Sequence, residues 1–211
     1  HAEIARKLKV KKIVLGECGH AHKALTVIAD RVLTGELAIP RESAFTVLED
    51  IVMNDRIKLD PSRNDFPVTL HDPCNPSRGM GILDAPPYVI ENVANHFYEM
   101  PANTIREQTF CCGSGSGVGT DENMEMRMRG GFPRANAVKH VHEKHGVNLM
   151  TCICAIDKAT LPPLMEYWVP DVRVSGVHEL VGNALIQEGE KERTTDLRGD
   201  DLPGKEASSD A

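Results

Sequence analysis

Pro67–Cys74 reads PVTLHDPC, and this stretch decides the fold. A short apolar, β-branched run ends in a polar turn holding a proline and a cysteine. A run of that length suits a buried strand better than a helix. Working outward, the pattern returns. Lys12–Gly16 (KIVLG) and Val147–Cys152 (VNLMTC) read as further buried strands, and Val172–Ser175 as a last short one. Thr104–Phe110 is a weaker strand or an extended loop. Amphipathic stretches lie between. His22–Leu33 places Leu25, Ile28, Ala29 and Val32 on one helical face. Ser43–Ile57 starts on an N-capping serine and turns Phe45, Leu48 and Val52 inward. Pro86–Met100 carries its prolines in the first helical turn, where a missing N–H costs little. Pro133–His145 is a helix closed by Gly146. Lys158–Trp168 is a helix interrupted or started by Pro162–Pro163, and Val177–Gln187 is the last helix.

Strands separated by helices imply an α/β fold, a parallel sheet with flanking helices joined by right-handed crossovers. Ligands of such sheets sit beyond the carboxyl ends of the strands. Cys18, Cys74 and Cys152 lie at or just after strand ends, and Cys111 and Cys112 follow Thr104–Phe110. The fold therefore gathers sequence-distant cysteines at one sheet edge.

Composition narrows the classes. Hydrophobic residues make up 41% of the chain but aromatics only 4%, so the core rests on aliphatic side chains and methionine. A net charge of −7 argues against nucleic acid, whose phosphates need a basic surface. No apolar run reaches the ~18 residues that a membrane-spanning helix needs. No secretory signal is visible. The chain opens on His1 and inside a helical pattern (AEIARKLKV), and is expected to be part of a longer polypeptide whose upstream region is missing. From Glu188 to Ala211, eight acidic and four basic residues come with few apolar ones. That stretch cannot offset the ~1–2 kcal/mol per residue of backbone ordering, and is expected to be a disordered acidic tail.

Six cysteines, two of them adjacent, in a patterned α/β chain point to metal or redox chemistry rather than a disulfide scaffold. Thiolates are soft ligands for iron–sulfur clusters, zinc or copper(I). Cys74, Cys111, Cys112, Cys152 and Cys154 form a group of five, one more than a cubane cluster takes. The excess suggests an unusual iron–sulfur cluster or a spare redox thiol. Neighbouring cysteines also suit an object larger than one ion. Gly113 and Gly115, in the run GSGSGVG, let the backbone approach and point N–H groups at sulfur. That run lacks the lysine of a phosphate-binding loop, so nucleotide binding is rejected. Cys18 is either a small buried hydrophobe or a spare thiol on the site wall. Thiol products need protons, and histidine titrates near neutrality. Cys18, His20 and His71 are thus the candidate catalytic side chains, although His71 and Asp72 also suit a purely orienting role in the HDPC turn. Arg127, Arg129 and Arg134 are either solvated charge or a balance for an anionic site.

The stretches GECGHA, HDPCNPSRG, CCGSGSG, MRMRGGFPRANAV and CICAIDKATLPPL, between Ala2 and Ile186, resemble the cysteine-rich CCG domain family. They are most similar to its heterodisulfide reductase D-like branch, including subunits of membrane complexes in sulfur-metabolising prokaryotes. The resemblance implies a noncubane [4Fe-4S] cluster on the five cysteines that cleaves disulfides or trisulfides. It also implies a small sulfur-carrier protein with a cysteine-bearing C-terminal arm, a membrane haem b subunit, and cubane [4Fe-4S] clusters in the missing upstream region. Location would be cytoplasmic, at the membrane through partner subunits. Residues 1–60 would end a first CCG-like half, 61–187 would be a complete CCG domain, and 188–211 the tail. The final pair is C-x-C here, where the family motif is C-x-x-C, which puts one of Cys152 and Cys154 in doubt as a ligand. Two other readings stay open: a zinc-binding or structural docking module, and a CCG subunit serving a flavin-dependent hydroxyacid dehydrogenase.

Overall fold

The computed structural model describes residues 1–16, 18–115, 117–187 and 189. The tail expected over 188–211 therefore lies, Gly189 apart, outside the described residues. In chain order the elements are α1 (Ala2–Lys7), β1 (Ile13–Leu15), α2 (Gly19–Lys23), a π-helical turn (Ala24–Ile28), α3 (Ala29–Val32), β2 (Arg41–Ser43) and α4 (Ala44–Met53). Then follow β3 (Pro67–His71), α5 (Ser77–Met80), α6 (Ala85–Val93), β4 (His96–Phe97), α7 (Met124–His145), β5 (Leu149–Cys152), α8 (Ala155–Trp168), β6 (Arg173–Gly176) and α9 (Val177–Ala184).

All strand pairs are parallel, as the alternation of strands and helices requires. They form two sheets, however, not one. β1 and β2 pair by themselves, and the larger sheet runs β4-β3-β5-β6. Within that sheet β3 and β5 are central and apolar on both faces. Val68, Leu70 and Leu149 pack with α4, α6 and α9 residues such as Phe45, Val89, Ile90 and Leu180. Met150 and Cys152 face the other way, onto α7 and α8 residues such as Val138, Leu161 and Leu164. Each such side chain that is fully buried contributes about 1.5–3 kcal/mol relative to exposure.

The two sheets contain matching units. Leu15 pairs with Ser43 as Thr151 pairs with Ser175, and each second strand leads straight into a helix, α4 or α9. Ser43 caps α4 through a hydrogen bond from the Phe45 N–H at 3.2 Å. The first unit docks on the second through α4, whose Phe45 and Val52 belong to the core of the larger sheet. Asn64 is fully buried beside that seam. Its Nδ2 donates to Val93 O at 2.6 Å and Leu180 O at 2.9 Å, and its Oδ1 accepts from Asn183 at 2.8 Å.

Thr104–Phe110 is not a strand. It forms short 3-10 turns, Ala102–Thr104 and Arg106–Gln108, because side chains take up its backbone groups instead of a ladder. Asp72 accepts the Arg106 N–H at 2.9 Å, Arg78 donates to Glu107 O and Thr109 O, and Arg134 donates to Thr104 O. Helix α7 begins nine residues earlier than the proline at 133 suggests, at Met124, and carries Pro133 in its interior. Helix α8 likewise runs through Pro162 and Pro163.

Candidate functional site

The cysteine-bearing turns converge at the carboxyl ends of the strands. Cys74 follows β3 in the HDPC turn, where its carbonyl accepts the Gly79 N–H at 3.0 Å. Cys154 is the N-cap of α8. Cys111 and Cys112 arrive on the loop that Asp72 and Arg134 hold. A small cleft opens between these turns, lined by His20, Cys74, Asn75, Cys111, Cys112, Gly115, Cys154, Ile156 and Asp157, with Pro73 and Pro76. Cys74 and Cys111 are exposed at its mouth, while Cys112 and Cys154 are buried at its base.

Gly113 is fixed by geometry. Its φ is +87°, and a Cβ there would fall 2.4 Å from Arg127 O and 2.8 Å from Gly131 N. Gly131 in turn admits no side chain, because Leu164 and Cys112 O crowd it. The CCG turn is thus pressed onto α7, and the Gly113 N–H reaches Cys111 Sγ at 3.3 Å.

The thiols sit in unequal fields. The Cys112 S–H donates to Cys111, which together with the Gly113 N–H pulls the Cys111 pKa down to about 5. Cys112 is pushed strongly up by the same hydrogen bond, by burial and by the Asp157 carboxylate. Burial, then the charge of Asp157, raises Cys74 and Cys154, and N–H groups of Asp157, Gly19 and Ile156 partly offset this for Cys154. Asp157 stays below the usual carboxylate range: burial works against it, but His71, Cys112 and Arg134 outweigh that. His71 Nε2 lies 3.4 Å from Asp157 Oδ2, both residues being buried. Arg134 is 0% exposed and donates to Met100 Sδ, Thr104 O and Thr109 Oγ1 at 2.8, 2.6 and 2.7 Å.

Not every expected residue lines the cleft. Cys152 ends β5 with its side chain in the α7/α8 core, its Sγ 3.6 Å from Ser175 O. His71 stands one layer behind the cleft, against Asp157. His20 does line it, while Cys18 caps α2 beside it. Gly115 borders the cleft, and Gly113 supports it from behind. Asp72 holds the 106–109 loop through Arg106 N and Thr109 Oγ1. Arg127 and Arg134 are buried under the site, whereas Arg129 is exposed and paired with Glu125. The sequence reading missed Asp157 and Ser114. Both are polar and buried, yet an acid in a first helical turn and a serine in a glycine run carry no distinctive signal.

In sequence the chain is similar to heterodisulfide reductase D-type iron–sulfur subunits. It is 49% identical over 161 residues to the "Hdr-like menaquinol oxidoreductase iron-sulfur subunit 2" of Archaeoglobus fulgidus, covering 74% of this chain and 29% of that protein. It is 41% identical over 231 residues to the "Hdr-like menaquinol oxidoreductase iron-sulfur subunit" of Archaeoglobus profundus, covering 92% and 42%. The D-type subunit of the dihydromethanophenazine:CoB--CoM heterodisulfide reductase of Methanosarcina mazei is 32% identical over 191 residues, covering 88% and 44%. The chain thus spans less than half the length of these curated relatives. No family model matches it.

Proposed function

We propose that this chain carries the disulfide-reducing iron–sulfur site of a heterodisulfide reductase-like oxidoreductase subunit. The supporting observation is one cleft lined by Cys74, Cys111, Cys112 and Cys154 at the carboxyl ends of parallel strands. The donor set suits such a cluster. Its sulfurs receive N–H groups from Gly113 and from the first turn of α8, and the Arg134 cation lies beneath. Buried polar atoms of His71, Asp72, Ser114 and Asp157 have no hydrogen-bond partner around it. Among the described residues, no group of three or more His, Cys, Asp or Glu side chains is placed to hold a single metal ion. The adjacent cysteines favour a noncubane [4Fe-4S] form.

Such a cluster supplies electrons singly and binds sulfur. The chain's own residues do the rest. Cys111 is held as a thiolate at the open mouth, where an incoming sulfur arrives. Asp157 and the buried Cys112 close the base against water. His20, on the cleft wall, is placed to protonate a departing thiolate. Reduction of one disulfide takes two electrons and two protons, and the electrons come from outside this chain.

In this reading the polypeptide works as does the K subunit of the Dsr membrane complex (DsrK) in sulfur metabolism and sulfite reduction. A membrane haem b subunit exchanges electrons with cubane [4Fe-4S] clusters on an upstream segment. A small sulfur-carrier protein presents a disulfide or trisulfide on its cysteine-bearing C-terminal arm. The site is cytoplasmic and held at the membrane by partners; among the described residues no helix is long and apolar enough to cross one. Residues 1–60 are the end of a first CCG-like half and 61–187 a complete second one, which the matching strand registers support.

The test is anaerobic purification with metal and sulfide analysis and low-temperature EPR. About four irons and four sulfides per chain are expected. Oxidised carrier should perturb the EPR signal, and thiol-blocked carrier should not. Stoichiometric zinc without iron would overturn the reading.

A further inference from the structure

Besides its four cysteines and the His20 imidazole, the cleft presents a carboxylate. Asp157 lines it with a side chain only 5% exposed, its Oδ2 held by nothing closer than the long 3.4 Å contact to His71 Nε2 and the neighbouring Cys112 thiol. An acid at the third position of a helix ordinarily folds back onto the N-cap N–H or faces water. Glu179, at that position of α9, does fold back, accepting the Gly176 N–H at 3.1 Å. Asp157, at the same position of α8, does not; it projects between Cys112, Cys154 and His71. Burying a carboxylate without full pairing is costly. His71, at 3.4 Å, orients it, and the Arg134 cation favours its charge. Meanwhile Cys152, the other member of the C-x-C pair, is turned into the α7/α8 core.

We propose that the Asp157 carboxylate is the fifth ligand of the cluster, beside Cys74, Cys111, Cys112 and Cys154, while Cys152 is a core residue. The inference rests on the iron–sulfur reading above. It explains why a carboxylate is buried among thiols that disfavour each other's charge: a cationic iron site accepts all of them. It also accounts for the shortened C-x-C spacing. One cysteine follows the strand into the core, the next caps α8, and the first turn of α8 brings in an oxygen donor.

The experiment uses the full chain purified anaerobically, with wild type, Asp157→Asn, Asp157→Cys and Cys152→Ala side by side. Iron per chain, EPR and Mössbauer spectra are recorded, with thermal unfolding of each iron-free variant as a folding control. Cys152→Ala should keep wild-type iron and spectra. Asp157→Asn, nearly identical in shape, should lose about one iron in four or convert the EPR signal. Asp157→Cys should regain the iron, with one iron site moved toward the lower isomer shift of thiolate ligation. Wild-type spectra in Asp157→Asn, or loss of iron in Cys152→Ala, would overturn the assignment while leaving the cluster reading intact. Wild-type protein without iron would overturn both.

Discussion

Cys18 and Cys154 occupy the same position in two strand–helix–strand units. Each stands three residues beyond a strand residue paired to a serine, Leu15 with Ser43 and Thr151 with Ser175. Each caps the next helix, and each carbonyl accepts an N–H four residues on, from His22 at 2.8 Å and Lys158 at 2.9 Å. Only Cys154 lines the thiol cleft. Cys18→Ser should therefore leave the iron content near wild type, whereas Cys112→Ser should remove most of it. Equal loss in the two variants would place Cys18 among the ligands.

Two glycines of the same run should respond in opposite ways. Gly113 has a positive φ and would drive a Cβ into Arg127 O, whereas nothing lies within 4 Å of a Cβ at Gly115. Gly113→Ala is expected to destabilise by about 2–4 kcal/mol or to prevent folding, and Gly115→Ala to cost under about 1 kcal/mol. Denaturant unfolding of the iron-free protein measures both.

The Cys111–Cys112 pair sets a pH dependence. A thiol in an unfolded chain titrates near ~8.5, and Cys111 is pulled down to about 5. Its thiolate is present above that pH, and the stability it lends is lost as pH falls through it. In iron-free protein, alkylation of Cys111 should change little between about pH 8 and 6 and drop below about pH 5. In Cys112→Ala, which removes the main cause of the shift, the drop should move up toward ~8.5. Mass spectrometry of iodoacetamide adducts reads this directly; a wild-type rate rising tenfold per pH unit from 6 to 8 would contradict it.

Arg134 should be among the most sensitive positions outside the cysteines. Burial pushes its pKa down to about 10, so it remains a cation at neutral pH. Arg134→Met strands Thr104 O, removes the donor to the Thr109 hydroxyl and removes the countercharge of Asp72 and Asp157. A loss of about 3 kcal/mol or more is expected in denaturant melts. Arg134→Lys should recover only part of it, because one ammonium cannot span three acceptors held by a planar fork.

How much of this was legible in the sequence follows from the length and chemistry of each element. β1, β3, β5 and β6 announced themselves as short apolar runs, and Ser43 and Gly146 marked real helix ends. β2 (RES) and β4 (HF) did not, since a polar triplet and a dipeptide carry no periodicity. Gly130, Gly131 and Pro133 hid the first half of α7, although Gly131 is there for close packing on Leu164. The rule that places ligands beyond parallel strand ends pointed to Cys18, Cys74 and Cys152 with Cys111 and Cys112; the cleft takes Cys74, Cys111 and Cys112, and Cys154 rather than Cys152. The rule could not separate Cys152 from Cys154. That separation depends on where the strand's side-to-side alternation stops and α8 begins, a boundary of one or two residues.

Gly19 touches both sides of the cysteine cleft. A Cβ on it would sit 3.0 Å from the Pro76 ring and 3.1 Å from Asn75, just after Cys74, and its N–H favours the Cys154 thiolate. The N-terminal unit is therefore clasped by the very turn and sulfur that form the reactive centre. Chemistry at Cys154, whether protonation, alkylation or metal loading, becomes a mechanical event at the seam between the two units. A protease that samples the 18–24 region would report on the oxidation history of a sulfur far away in the chain.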